Sequence, residues 1–165
     1  MSGGASIREK HDGELDDRSN VRLWLRLLTC TTVIEKRIKR RFSDQFGITL
    51  PRFDVMAALD RHPEGMTMGQ LSTALLVSNG NVTGVVQTLV RDGYVSIAPS
   101  PSDGRASIVR LTQEGRDCFA GLADAHHDWI DTMFAGLDGD QRTSLYGLLG
   151  ALKQSLAADH GKKQA

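Results

Sequence analysis

Between Ser78 and Leu111 the spacing of apolar residues changes from helical to strand-like, and turn signals on both sides of the change leave few folds that accommodate it. Val82, Val85, Val86, Leu89 and Val90 stand at i, i+3, i+4, i+7 and i+8, the pattern of one helix face, and Gly93 closes the run. Ser78 is placed to cap its N-terminus. Tyr94 to Ala98 then reads as a strand, Pro99 to Gly104 as a turn, and Ala106 to Leu111 as a returning strand rich in β-branched residues. Upstream, Thr67 and Gln70 have capping-box spacing and open a short helix expected to bury Met68, Leu71 and Leu75, with a tight break at Leu76-Val77.

Helix, tight break, helix, hairpin is the order of a winged helix-turn-helix. The flanks are helical as well. From Asn20 to Phe46 a stripe of Trp24, Leu27, Leu28, Thr31, Ile34, Ile38 and Phe42 predicts one long helix, ended by Gly47. Pro51 suits the first turn of the next, which runs to about Arg61 and stops at His62-Pro63-Glu64-Gly65. Thr112 caps a long helix carrying Phe119, Leu122, Ala123, His126, Ile130 and Met133. Asp138 and Gln141, again at capping-box spacing, open a last one with Leu145, Leu148, Leu149, Leu152 and Leu156. The expected fold is mainly α with a small β-hairpin. It divides into an arm (1–19), a long helix (20–46), a winged helix-turn-helix (47–112) and C-terminal helices (113–160).

The chain has 165 residues, one domain's length, and a net charge of zero from 20 basic and 20 acidic groups. Neutrality argues against nucleic acid until the charge is divided: residues 1–20 sum to −2, 21–61 to +5, 62–111 to 0 and 112–165 to −3. A neutral chain polarised in this way can still present a basic face. Part of the 36–41 cluster, Lys36 to Arg41, answers to the negative end of its helix dipole. Cys30 and Cys118 lie in helical segments with no secretory signal ahead of them, so no disulfide scaffold is expected and a cytoplasmic location is. No apolar run reaches the ~20 residues of a membrane span. Nucleophile elbow, phosphate loop and dinucleotide fingerprint are absent, which argues against an enzyme and against a cofactor. His126 and His127, with Asp128 and Asp131, do not make a metal site, because adjacent helical residues point about 100° apart.

The polar face of the Ser78–Arg91 helix holds Asn79, Gly80, Asn81, Thr83, Gly84, Gln87, Thr88 and Arg91. Solvated faces are usually built from Glu, Lys and Arg, better helix formers than the Gly, Asn and Thr found here. Small residues allow a backbone to approach another surface closely, and amide and hydroxyl side chains match base edges in a major groove. Ser78, Asn79, Asn81, Thr83, Gln87 and Thr88 are therefore the candidate DNA-reading residues.

Three segments in order resemble the MarR family of bacterial transcription regulators: Leu89-Val90-Arg91-Asp92-Gly93-Tyr94-Val95 at the end of the recognition helix, Asp103-Gly104-Arg105 in the wing, and Leu111-Thr112-Gln113-Glu114-Gly115 after it. The resemblance covers about residues 20–158. It implies a homodimer whose terminal helices interleave, a palindromic double-stranded DNA operator, and a wing in which Arg105 enters the minor groove while Asp103 fixes the hairpin. Half-sites one helical turn apart, ~34 Å, independently require two reading helices at fixed spacing. The resemblance further implies repression relieved by a small molecule, an aromatic acid or its coenzyme A thioester. Trp24, Arg26, Arg52, Phe53, His126 and Trp129 are the lining residues expected from the first, second and fifth helices; core packing is the plain alternative for the aromatics. Basic residues usual in the family are missing at Gly84, Ile97, Ala98 and Gly104, so a shallow salt dependence is expected. Two alternatives stand beside this reading: a redox sensor acting through Cys30, and a winged helix used for protein contacts.

Overall fold

A computed structural model of the chain describes residue 7, residues 19–100 and residues 106–161, without the side chains of 159–161. The elements are α1 (Ser19–Phe46), α2 (Leu50–Asp60), β1 (Met66–Thr67), α3 (Met68–Leu75), α4 (Asn79–Arg91), β2 (Val95–Pro99), β3 (Ser107–Leu111), α5 (Gln113–Phe134) and α6 (Gly139–Gly161). Two compact units divide after His126, so that α5 up to His126 belongs with the winged motif. No described helix is long and apolar enough to cross a membrane.

In the first unit, Gly47 ends α1 in the left-handed region (φ 61°), which glycine enters without a Cβ penalty. Pro51 sits in the first turn of α2, where no amide hydrogen is needed. Phe42, Met56, Leu59, Leu71, Val82, Val86, Leu89 and Val109 form the centre of the core. The hairpin is antiparallel, with Val95 opposite Leu111 and Ile97 opposite Val109. β1 adds a third strand, Met66 opposite Val109, giving the order β1-β3-β2. Two residues carry no readable alternation, so sequence periodicity does not reveal this strand. Gly65 precedes it at φ 88°, and a Cβ there would stand 2.5 Å from Ile108 Cγ2 and 2.7 Å from the Val109 carbonyl oxygen. Only glycine fits the approach.

Two burial expectations change. Leu71 alone of the α3 trio is fully buried, Met68 and Leu75 being intermediate, because so short a helix presents a single turn to the core. Val90 is exposed although it fits the helical template. At 100° per residue it lies about 80° round the helix from Val82, at the edge of the stripe. The α1 stripe is buried at Ile38 and Phe42, but Val21, Leu23 and Trp24 are more than half exposed.

In the second unit, the box that opens α6 forms as its spacing implies: the Asp138 amide donates to Gln141 Oε1 at 2.9 Å and the Gln141 amide to Asp138 Oδ1 at 2.8 Å. The leucine stripe of α6 is uncovered, Leu148 being 70% and Leu156 62% exposed.

Asp54 on α2 is half-buried, with no hydrogen bond or ion pair. Burial, with Glu35 adding to it and Lys39 opposing, lifts its carboxyl from 3.8 to about 6. The folded pKa lies above the unfolded one, so the stabilising contribution is complete below 3.8 and is lost as pH rises to about 6. After allowance for solvent screening at this partly exposed group, the loss is on the order of 1 kcal/mol at neutral pH. Asp54→Asn is therefore expected to raise the melting temperature at pH 7.5 and to leave it unchanged at pH 4, which thermal melts at the two pH values would check.

Candidate nucleic-acid interface

The approach to α4 is built by local chemistry. Thr67 Oγ1 accepts from the Gln70 amide at 3.2 Å while Gln70 Oε1 accepts from the Thr67 amide at 2.8 Å, completing the box that starts α3. At the other end Leu76 adopts φ 56°, with its amide donating to the Thr73 carbonyl and that of Val77 to the Ser72 carbonyl at 3.1 Å. This double bond pattern closes the helix, and glycine is its usual occupant. Leu76 is 92% exposed, so its side chain gains nothing by burial. Leu76→Gly is expected to stabilise the fold by about 0.5–1 kcal/mol, since relief of the left-handed penalty exceeds the entropy glycine adds to the unfolded chain. Chemical denaturation measures it, and a lower midpoint would refute the strain.

Ser78 occupies the N-cap of α4, yet its side chain makes no capping hydrogen bond. The first amides of α4 therefore remain available to an external anion. Val82, Val86 and Leu89 anchor the helix, while Ser78, Asn79, Asn81 and Gln87 are exposed on the other side. Thr83 and Thr88 are intermediate, and each hydroxyl donates back along the helix, to the carbonyls of Asn79 at 2.9 Å and Gly84 at 3.0 Å. Gly80 and Gly84 open onto empty space, with nothing within 4 Å of an added Cβ. The helix thus presents amides and backbone on a face without a single acidic group.

Beyond α4 the geometry explains the Leu-Thr-x-x-Gly run. Gly93 turns the chain at φ 81°, and the Thr112 hydroxyl donates to its carbonyl at 2.7 Å while accepting from the Gly115 amide at 3.0 Å. The Thr112 amide donates to the Tyr94 carbonyl at 3.0 Å. That carbonyl lies against Gly115 so closely that a Cβ would meet its oxygen at 2.0 Å. The base of the wing is thereby tied to the start of α5. Ser100 donates its amide to the Ala106 carbonyl at 2.8 Å; Asp103 and Arg105, between them, lie outside the described residues.

An ion pair that sequence spacing does not reveal joins Arg52 on α2 to Asp92 at the C-terminal cap of α4. Their side chains are 17% and 34% exposed, so the pair is far less solvent-screened than the i,i+4 pairs on α1. It holds the end of α4 against α2.

The residues expected to line an effector cavity are not all brought together. Phe53 and His126 meet, ring centroids 4.8 Å apart, and are joined by Phe42, 4.6 Å from Phe53, and Phe119, 5.5 Å from it. These rings fill the space with one another. Phe119 and His126 lie seven residues apart on one face of α5, a spacing that marks them as companions. Trp24 is eighteen residues before Phe42 on the same helix, about 27 Å along its axis, and so does not reach this cluster within one chain. Arg26 is exposed on α1, Arg52 is engaged by Asp92, and Trp129 is buried in the second unit. Cys30 is exposed; the cysteine with a polar neighbour is Cys118, whose proximity holds the Tyr94 phenol above its ordinary range. Among the described residues no group of three or more His, Cys, Asp and Glu could hold a metal, and His127 Nε2 lies 3.4 Å from Asp131 Oδ2.

The MarR family model matches residues 46–106. A MarR family transcriptional regulator from Silicibacter pomeroyi has a solved structure that superposes with a TM-score of 0.73 at 31% identity, over 86% of this chain and 99% of that one. The chain belongs to the MarR family. It is a DNA-binding transcription regulator and not an enzyme. Among relatives of this MarR protein, the transcriptional activatory protein BadR of Rhodopseudomonas palustris is 35% identical over 62% of the chain, an alignment that spans 59% of BadR. The transcriptional repressor IacR of Pseudomonas putida is 27% identical over 70% of the chain and 69% of IacR. Sco3205 of Streptomyces coelicolor, a MarR family regulator solved in complex with DNA, shares the fold with a TM-score of 0.76 at 20% identity, over 89% of this chain and 92% of that one. MarR family regulators bind DNA as dimers.

Proposed function

We propose that this MarR protein is a cytoplasmic homodimer that represses transcription by occupying a palindromic operator, with α4 in the major groove and Arg105 of the wing in the minor groove. The observation that carries the reading is the exposed face of α4. Ser78, Asn79, Asn81 and Gln87 stand out from a backbone left open at Gly80 and Gly84, a surface fit for close approach to base edges and poor as a plain solvated face. Thr83 and Thr88 border it, and the support of the wing is assigned to Asp103 on the family pattern alone. The dimer is supported by apolar surface on α1 and α6 too extensive for a soluble monomer to leave uncovered. Occupation of an operator requires DNA contacts alone, whereas activation needs a further surface for the transcription machinery.

An aromatic acid or its coenzyme A thioester releases the DNA in this reading by parting the packed rings of Phe53 and His126 and favouring a spacing of the two α4 helices that does not fit the operator. The aromatic character of that cluster supports it. Gel shifts on the intergenic DNA upstream of the gene test the whole. One palindrome should be bound in a salt-sensitive manner, Arg105→Ala should weaken it about 10-fold or more, and aromatic carboxylates or their thioesters should release it. Absence of a shift at low salt refutes operator binding, and lower reporter expression in the presence of the protein is required of a repressor.

A further inference from the structure

A cleft of about 430 Å³ lies between α1, α2 and the N-terminal half of α4, and none of its lining residues belongs to the aromatic cluster. Glu35 and Lys39 line it from α1, Asp54 from α2, and Asn81, Val82 and Val85 from α4, while aliphatic side chains of α2 and α3 complete the wall. The size falls within the range of small-molecule sites, and so does the composition, a mostly apolar lining with few polar groups.

Its charge selects the ligand. Lys39 Nζ stands 2.6 Å from Glu35 Oε1, so the one ammonium present is engaged. Asp54 is left as a second carboxyl with no hydrogen bond or ion pair. The lining residues of α3 and α4 include no charged group. An anion placed here would meet two carboxyls and a cation already paired, whereas an ammonium or amidinium would find a carboxylate without a partner beside an apolar wall.

We propose that this cleft binds a small organic cation, an amine or amidine with an apolar body, with Asp54 receiving the charge and the aliphatic wall enclosing the rest. Because Asn81, Val82 and Val85 belong to α4, the occupant also sets how the recognition helix sits on α2, and so changes DNA affinity. The binding part stands without the operator reading; the coupling part rests on it.

Calorimetric titration of the full chain with benzylammonium, benzyl alcohol and benzoate tests the site. Benzylammonium should bind at pH 7.5 at least ~10-fold more tightly than the isosteric alcohol or benzoate. Glu35, Lys39 and Asp54 are the titratable groups lining the cleft, and protonation of Asp54 should weaken the amine about 10-fold between pH 7.5 and pH 5. Asp54→Asn should remove the preference for the amine, and Val85→Phe, which fills the cleft from α4 without touching its charge, should weaken amine and alcohol alike. Equal binding of the alcohol, or a folded Asp54→Asn protein that keeps the preference, overturns the site. Saturating benzylammonium should shift the affinity for upstream DNA at least about 5-fold, and no shift overturns the coupling. A chain that binds no DNA in any condition refutes the operator reading instead, and the titration still decides the cleft.

Discussion

Gly115→Ala is expected to lower the stability of the protein by about 3 kcal/mol, near the upper end for an overpacked site, and its melting temperature by roughly 10 °C. The added Cβ would stand 2.0 Å from the Tyr94 carbonyl oxygen and 2.9 Å from its carbon, both backbone atoms that cannot rotate away. Relief requires α5 to move from the wing, which strains the bonds of Thr112 to Gly93 and Gly115. Gly121→Ala is the control. It lies in the same helix with nothing within 4 Å of an added Cβ, so the gain in helix propensity should stabilise by up to ~1 kcal/mol. Opposite signs from one substitution, six residues apart, separate close packing from propensity; equal effects in thermal melts would remove the packing argument.

Gly84→Leu should separate stability from function. The free protein has open space at this position, so leucine costs no contact and improves helix propensity by roughly 0.5–1 kcal/mol. Against DNA the same side chain would occupy the gap through which α4 approaches the bases. A clash worth ~1–3 kcal/mol at each of two half-sites amounts to a loss of about 10²–10⁴ in operator affinity. The expected result is a protein that melts a few degrees higher and no longer shifts its operator. Unchanged affinity would mean that α4 does not approach DNA through this face.

Much of this architecture is legible in the sequence because its determinants are local. Thr67 with Gln70 and Asp138 with Gln141 form their boxes within a single turn, and Gly47 and Gly93 end helices by their own backbone freedom. What escapes sequence reasoning depends on distant partners. β1 exists because Met66 lies beside Val109, and Arg52 finds Asp92 forty residues away. Spacing also misleads where axial distance is neglected: Trp24 and Phe53 belong to neighbouring helices, yet the length of α1 carries Trp24 far from the ring cluster. The exposed face of α4 is visible from composition and position, whereas the cleft beside it, with Asp54 unpaired, requires four helices to be placed first.

The hydroxyls of Thr83 and Thr88, bonded back to their own helix, bear on which base sequences such a protein would choose. A threonine whose hydrogen is already committed can offer a partner only lone pairs and a methyl group. Asn79, Asn81 and Gln87 supply amides suited to the paired acceptor and donor of adenine, and the threonine methyls suit the methyl of thymine. Guanine, which presents two acceptors and is best met by arginine, finds no such partner on the middle of this face. Half-sites read by α4 should therefore be enriched in A·T pairs, with selectivity resting on neutral contacts that salt does little to erode.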